Sequence, residues 1–432
     1  MEVVPLREHR LKTWKEPGAV CLLATVLIAL VAAVDIVRYA LLGSALPLAN
    51  LCLIEVLLLL LCLLSWQSRL PALLLAVAVP ALMLGITTNY LEMGLFNLGF
   101  FIQAGVALIA AVTGTVFQLR QKIPPRRPNI WTAAALAVIL VGGVAFWQGN
   151  AAASRSAQTV GRDIWAVPDR FSQPCEQGGT VEEITYRTRA YATDQREVEK
   201  TAYVYLPAGY DPEEQYNILY LLHGTGDDER AWLLEHSENK DMVDQLIAQG
   251  VIEPLIIVTP TFYVEDDCSD NLDALTYSFA QELREDLMPA VESRYATYAP
   301  SCDAQGFTES RDHRAFAGLS RGAVTTYHSA MCGSLDYFSW FGTFSGSRTG
   351  ADYFRETIQS EAFGDYPIHY LYVSSGTLDF ALPGQIQDYD ALLEMEPRLT
   401  EGVNTNFDVF PMQSHSWENW HLALYNFLQK VF

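Results

Sequence analysis

Five apolar runs in series, over about 18–42, 47–65, 70–88, 96–118 and 131–148, constrain this chain more than any other feature. Each approaches the roughly 20 residues that an α-helix needs to cross about 30 Å of hydrocarbon. They predict an all-α bundle of about five transmembrane helices over 1–148, with the lipid bilayer as a partner. An odd number of spans puts the chain ends on opposite faces, and the cations orient them. Arg7, Arg10, Lys12 and Lys15 precede the first run, Arg69 lies between the second and third, and Arg120, Lys122, Arg126 and Arg127 lie between the fourth and fifth. The connections around Gly43–Leu46 and Thr88–Leu95 hold no Lys or Arg. By the positive-inside rule the N-terminus is cytoplasmic, and everything beyond 148 is extracytoplasmic in a multi-pass cell-membrane protein. Five long runs read as permanent spans, whereas a cleavable signal peptide has one short apolar region.

Charge divides the chain at the same place. Residues 1–150 carry a net charge of +4 and residues 151–432 carry −26. The pattern predicts a linker over 149–174 and a water-facing domain over 175–432. A field this negative repels phosphate backbones, which argues against nucleic acid as a partner. Cys175, Cys268, Cys302 and Cys332 fall in the outer part, where two bridges or free thiols are both open; no Cys/His spacing suggests zinc, so no metal is expected.

From Val181 onward short apolar runs alternate with helical periodicity. VEEITY and TAYVYLP read as a starting hairpin, and NILYLLHG, LIIVTP, HRAFAGLS, FSWFGTFSG, HYLYVSSG and FDVFP as further strands. Helical patterns intervene over about 240–249, 277–296, 321–332, 352–360, 385–396 and 417–430. Such alternation implies an α/β domain with a mostly parallel central sheet covered on both faces, whose functional groups gather on loops at the carboxyl ends of the strands.

One motif sits in that position. Gly318-Leu319-Ser320-Arg321-Gly322 follows the run HRAFA and opens a helix, the strand-turn-helix setting that gives G-x-S-x-G its meaning. Glycines at 318 and 322 let backbone approach while Ser320 Oγ is presented at a helix N-terminus. A serine hydroxyl needs a base, and in this setting the chain order is Ser, acid, His. His415, in QSHSWENW after the last strand, fits the base; His223, His236, His313, His328, His369 and His421 are less well placed and read as structural. Asp379, in SSGTLDF, fits the acid, 59 residues after Ser320 and 36 before His415. Asp388 and Asp390 are rivals that belong to the next helix. Acyl transfer also needs donors for the oxyanion; the N–H groups of Thr225, in LLHGTGDDERAW, and of Arg321 are the candidates. Trp232, Trp417 and Trp420 are candidates to line an acyl or sugar pocket, against the plainer reading of buried packing.

At these residues the chain resembles the esterase D superfamily, and most closely the bacterial feruloyl and acetylxylan esterases, through PAGYDPEEQYNILYLLHGTG, FAQELREDLMPAVESRYATYA, SRDHRAFAGLSRGAVTTYH, LDYFSWFGTFSG, SSGTLDF and SHSWENW. Arg321-Gly322-Ala323 stands where these families often carry Met and a second Gly. The resemblance implies an α/β-hydrolase fold over about 175–432, with Ser320 as nucleophile, Asp379 as acid, His415 as base, Thr225 and Arg321 as oxyanion donors, and no cofactor. It implies a serine esterase acting on acyl groups, acetyl or feruloyl, carried by carbohydrate. Two other readings stand beside it: an acyltransferase that passes the acyl group to an envelope glycan or lipid with the same triad, and a non-catalytic membrane sensor or scaffold.

Overall fold

The computed structural model describes residues 163–264, 271–347, 351–377, 379–411 and 413–432, together with Ile109. Apart from Ile109, the five expected spans and most of the expected linker lie outside the described residues. Among the described residues no helix is long and apolar enough to cross a membrane. The chain divides into two units at Ala151/Ala152, and everything described below belongs to the second.

That unit is built on an eight-stranded sheet: β1 (Thr180–Arg189), β2 (Glu197–Leu206), β3 (Asn217–Leu222), β4 (Leu255–Thr259), β5 (Arg314–Leu319), β6 (Trp340–Phe344), β7 (Tyr370–Gly376) and β8 (Thr405–Phe410). The order across the sheet is β1-β2-β4-β3-β5-β6-β7-β8. β1 and β2 form the expected hairpin, in register from Thr180↔Leu206 to Arg189↔Glu197. β2 joins β4 antiparallel, and from β4 to β8 every neighbouring pair is parallel. All eight strands fall on the expected runs: β1 alternates buried and exposed residues as an edge strand does, whereas the inner strands are apolar because both their faces are covered. β3, LeuLeu-ended and buried but for its first residue, and β5, buried throughout, show this most plainly.

Six principal helices cover the sheet: α1 (Glu238–Ala248), α2 (Leu272–Glu282), α3 (Arg321–Thr325), α4 (Ala351–Ile358), α5 (Leu382–Met395) and α6 (Trp417–Leu428). Side chains alternate between the faces with the period of two that a strand imposes. Ile218, Tyr220, Leu222 and Phe316 join one core with Phe279, Leu283 and Met331, while Leu219, Leu221, Ala315 and Ala317 join another with Val243, Leu246, Leu424 and Phe427. The expected long helix over 277–296 is α2 prolonged through a π-helical turn, Leu283–Leu287, into Met288–Glu292. α3 likewise continues into a π-helical turn, Thr326–Met331.

Residues 163–174, assigned to the linker from composition, pack on the domain instead. Ile164, Val167 and Phe171 are buried in the second core, the Asp163 carbonyl accepts from Asn426 Nδ2 at 2.8 Å, and its carboxylate accepts from Tyr425 OH at 2.9 Å. Ile164, Val167 and Phe171 lie three and four residues apart, but Pro168 and Pro174 interrupt so short a segment, so only their contacts reveal that they dock. Two charged pairs lie inside the fold where sequence gave no sign of them. Arg314 donates in a fork to Glu292, at 2.8 and 3.0 Å, and Lys200 Nζ donates to Glu282 at 2.6 Å. Each satisfies the other's charge at a depth where a lone ion would be very costly.

Candidate active site

β5 ends at Leu319, and the chain reverses at Ser320 into α3. Ser320 holds φ 51° and ψ −112°, a left-handed conformation that an L residue rarely adopts. The flanking glycines make this turn possible. A methyl group on Gly318 would lie 2.5 Å from the Gly322 carbonyl carbon, and one on Gly322 would lie 2.6 Å from the His223 carbonyl oxygen. Backbone therefore passes where any side chain would be, and Ser320 is pushed outward, partly exposed, at the carboxyl edge of the sheet.

Asp379 follows β7 and His415 follows β8, and the structure brings these two together. His415 Nδ1 lies 2.8 Å from Asp379 Oδ1, with both residues buried, at 1% and 2% exposure. A carboxylate only accepts, so Nδ1 carries a proton, and in the neutral imidazole Nε2 is the nitrogen with the lone pair. Nε2 is buried with no hydrogen-bond partner, so the Ser320 hydroxyl is not bonded to it in this state. Phe380 packs against one part of the imidazole at 4.3 Å between ring centroids, and Trp420 meets it edge-on at 4.9 Å. Asp388 and Asp390 lie in α5, as the rival reading had them.

Asn419 holds this pair and had no signal in the sequence beyond lying in the first turn of a helix near His415. It is wholly buried. Its Nδ2 lies 3.2 Å from Asp379 Oδ2, 3.1 Å from Ser345 Oγ and 2.9 Å from the Ser414 carbonyl. Ser345 itself takes φ 56° just after β6, and a methyl on the next residue, Gly346, would strike the Ser320 carbonyl oxygen at 2.3 Å. The turn after β6 thus touches the Ser320 turn on one side and the Asn419–Asp379 pair on the other.

The loop after β3 supplies the opposite wall. His223 is buried; its Nδ1 donates to the Gly224 carbonyl at 2.7 Å, which leaves Nε2 to accept from Thr261 Oγ1 at 2.8 Å. Burial depresses its pKa to about 4, so it is neutral and structural, as its place in the chain suggested. Gly226 N–H donates to Tyr263 OH at 3.1 Å, a second tie to the loop after β4. Thr225 is exposed at the tip. Among the described residues neither the Thr225 N–H nor the Arg321 N–H donates to a main-chain carbonyl outside its own helix; for Arg321 this follows from its place in the first turn of α3. The Arg321 side chain turns away to Asp273 in α2, Nη1 to Oδ1 at 2.5 Å.

The tryptophans divide. Trp232 is fully buried, donates from Nε1 to the Leu222 carbonyl at 2.9 Å, and packs in the core, so no face of it lines a pocket. This corrects the expectation for Trp232, and the reason is its bulk: an indole whose one polar atom finds a carbonyl loses nothing by being buried. Trp420 is buried against His415. Trp417 remains partly exposed, with the His236 ring stacked on it at 3.8 Å. Among the described residues no group of His, Cys, Asp and Glu side chains is arranged to hold a metal ion.

A family model described as "Putative esterase" matches residues 195–431. The chain is 41% identical over 180 residues to endo-1,4-beta-xylanase Y of Acetivibrio thermocellus, a match covering 42% of this chain and 15% of the relative. It is 26% identical over 260 residues to an endo-1,4-beta-xylanase/feruloyl esterase of Xylanibacter ruminicola, covering 59% and 31%. It therefore spans less than a third of the length of either curated relative. Among solved structures, a serine-to-alanine mutant of the feruloyl esterase module from Clostridium thermocellum, complexed with sinapinate, is similar at a TM-score of 0.56 and 31% identity, over 62% of this chain and 94% of that module. A ferulic acid esterase from the anaerobic fungus Anaeromyces mucronatus shares the fold at a TM-score of 0.50 and 22% identity, over 62% and 96%. With the sheet order, the turn at Ser320 and a family match over more than half of its length, the chain belongs to the esterase family and has the α/β-hydrolase fold.

Proposed function

We propose that this protein hydrolyses carboxylic esters through an acyl-enzyme on Ser320, with acetyl or feruloyl groups on carbohydrate as its substrates. The observation that carries the reading is the buried His415–Asp379 pair, 2.8 Å apart, with Nε2 left without a partner, on loops that follow β7 and β8 as Ser320 follows β5. The Ser320 hydroxyl attacks the ester carbonyl carbon while its proton passes to His415 Nε2. The new oxyanion accepts from the N–H groups of Thr225 and Arg321. Collapse returns the carbonyl and expels the alcohol, which takes the proton from His415, leaving acyl-Ser320; water then repeats the sequence and releases the acid. Asp379 holds the imidazole in the tautomer that leaves Nε2 open and stabilises the imidazolium. Hydrogen bonds of this kind are commonly incomplete before substrate binds and tighten in the complex.

The substrate class rests on relatives that include an endo-1,4-beta-xylanase/feruloyl esterase and a feruloyl esterase module bound to sinapinate. The five apolar runs and the distribution of Lys and Arg between them support a membrane-anchored protein whose esterase domain is extracytoplasmic. A fluorophosphonate probe should label the wild type at Ser320, and Ser320→Ala should fold normally, resist the label and lose ester turnover. Activity surviving in purified Ser320→Ala overturns the assignment. Product analysis with an added sugar separates hydrolysis from transfer, since a transferase makes acylated sugar faster than free acid.

A further inference from the structure

Asp227 is a carboxyl beside the nucleophile that the triad does not use. It lies on the loop after β3, two residues beyond Thr225, and is half-buried. It borders Gly224, as Ser320 does: a methyl group on Gly224 would lie 3.5 Å from Asp227 Oδ2 and 3.3 Å from Ser320 Cβ, and 2.6 Å from Leu319 Cδ1, which fills the space between them. The carboxyl and the nucleophile thus stand on the same side of one glycine. The charged side chains around it are engaged elsewhere. Asp228 takes the Arg230 guanidinium, with Nε at 3.1 and 3.0 Å from its two oxygens, Glu235 shares Arg230 at 3.4 Å, and His236 is stacked on Trp417 and bonded to Glu238 at 3.2 Å. Among the described residues no side chain hydrogen-bonds to Asp227 or forms an ion pair with it. Burial pushes its pKa up to about 6, with the Gly224 N–H and the charge of His236 pulling the other way.

A carboxylate without a side-chain partner costs stability here, and next to a developing oxyanion it opposes the chemistry. What offsets both is a donor brought by the substrate. The substrate atoms that come near Ser320 are those around the ester, so a donor for Asp227 lies a few bonds from the ester oxygen. An acetyl group has no donor, and the phenol of a feruloyl group lies at the far end of a rigid cinnamoyl. A hydroxyl on the carbon next to the ester-bearing carbon meets the requirement.

We propose that Asp227 accepts a hydrogen bond from a vicinal hydroxyl on the alcohol half of the substrate, which makes the preferred ester a monoacylated diol of the kind a sugar ring presents. This rests on the serine-esterase reading above and sharpens its substrate class. A site that hydrogen-bonds a substrate hydroxyl discriminates strongly against the analogue lacking it, because its own polar group is otherwise left unpaired.

The test is a minimal pair of esters that differ by that hydroxyl alone, 2-hydroxyethyl and ethyl ferulate, repeated with 2-hydroxyethyl and ethyl acetate, on the purified full chain. The expected wild-type preference in kcat/KM for the hydroxyethyl ester is about tenfold or more. Asp227→Ala should bring that ratio close to one, and Asp227→Asn, whose amide oxygen still accepts, should retain part of it. The rate of fluorophosphonate labelling at Ser320 reports whether each variant keeps its folded site. A wild-type ratio near one, or a ratio that Asp227→Ala leaves unchanged, overturns the assignment while the esterase reading stands. A wild type that turns over none of the four esters and takes no label overturns the esterase reading, and this assignment with it.

Discussion

Asn419 offers the sharpest test of how the site is held, because it is buried away from any substrate yet contacts the acid directly. Its Nδ2 lies 3.2 Å from Asp379 Oδ2, while Asp379 Oδ1 already serves His415 Nδ1 and accepts from the Ala381 N–H, each at 2.8 Å. Replacing Asn419 with Ala removes the one side-chain donor to Oδ2 among the described residues and frees the carboxylate to turn about its Cβ–Cγ bond. A hydrogen bond to a charged group contributes about 1.5–3 kcal/mol. If that loss falls on the states in which His415 is an imidazolium, kcat drops by about 10- to 100-fold. KM should change little, since a wholly buried residue touches no substrate. Asn419→Asp is the stronger perturbation: a second carboxyl at about 3 Å from Asp379 cannot ionise alongside it, so one of the two retains a proton and the pH–rate profile gains a further titration. Steady-state hydrolysis of a soluble ester across pH, with a thermal melt of each variant, reads both effects. Unchanged kcat in an Asn419→Ala protein of normal melting temperature, or pH profiles of the Ala and Asp variants that run parallel, would refute the claim that this amide positions Asp379.

Two further outcomes follow from the walls of the site. His223 is neutral in the fold with its pKa lowered from 6.5 to about 4 by burial, so its contribution is intact above pH 6.5 and is lost as the pH falls toward 4, when the unfolded chain binds a proton that the fold refuses; this amounts to about 3 kcal/mol, and between pH 7.5 and 4.5 the unfolding free energy from urea titrations should fall further in wild type than in His223→Gln by nearly that much, equal losses speaking against it. Gly322→Ala places a methyl 2.6 Å from the His223 carbonyl and 2.7 Å from the Leu222 carbonyl, both main chain, so a loss of more than about 3 kcal/mol is expected along with fluorophosphonate labelling, and a melt within a few degrees of wild type would show that α3 can move off β3.

Much of this architecture is legible along the chain because the physics that shapes it is local or periodic. A strand covered on both faces must be apolar, so NILYLL, LIIVT and RAFAGL announce themselves. A strand that turns directly into a helix needs glycine on both sides of the turn, so G-L-S-R-G in that setting marks Ser320. Once Ser320 is placed, the chain order expected of the fold and the loop after each strand point to Asp379 and His415, which the structure sets 2.8 Å apart. Other features carry no such mark. Trp232 looks the same in sequence whether it lines a pocket or fills a core, and only the Leu222 carbonyl facing its indole decides. Asp227 is one acid in a run of three, and nothing in GDDE says that one of them borders Ser320 while its neighbour is held by Arg230. Asn419, Ser345, the buried Arg314–Glu292 pair and the docking of 163–174 are likewise contacts between segments far apart in the chain.

What the sequence determined by itself is the set of elements and the candidates for the chemistry, since periodicity, turn chemistry and spacing act over a few residues at a time. What only the tertiary structure decided is which polar groups are satisfied and which are left beside Ser320. That depends on the close packing of strand ends and loops separated by many tens of residues, which no pattern along the chain records.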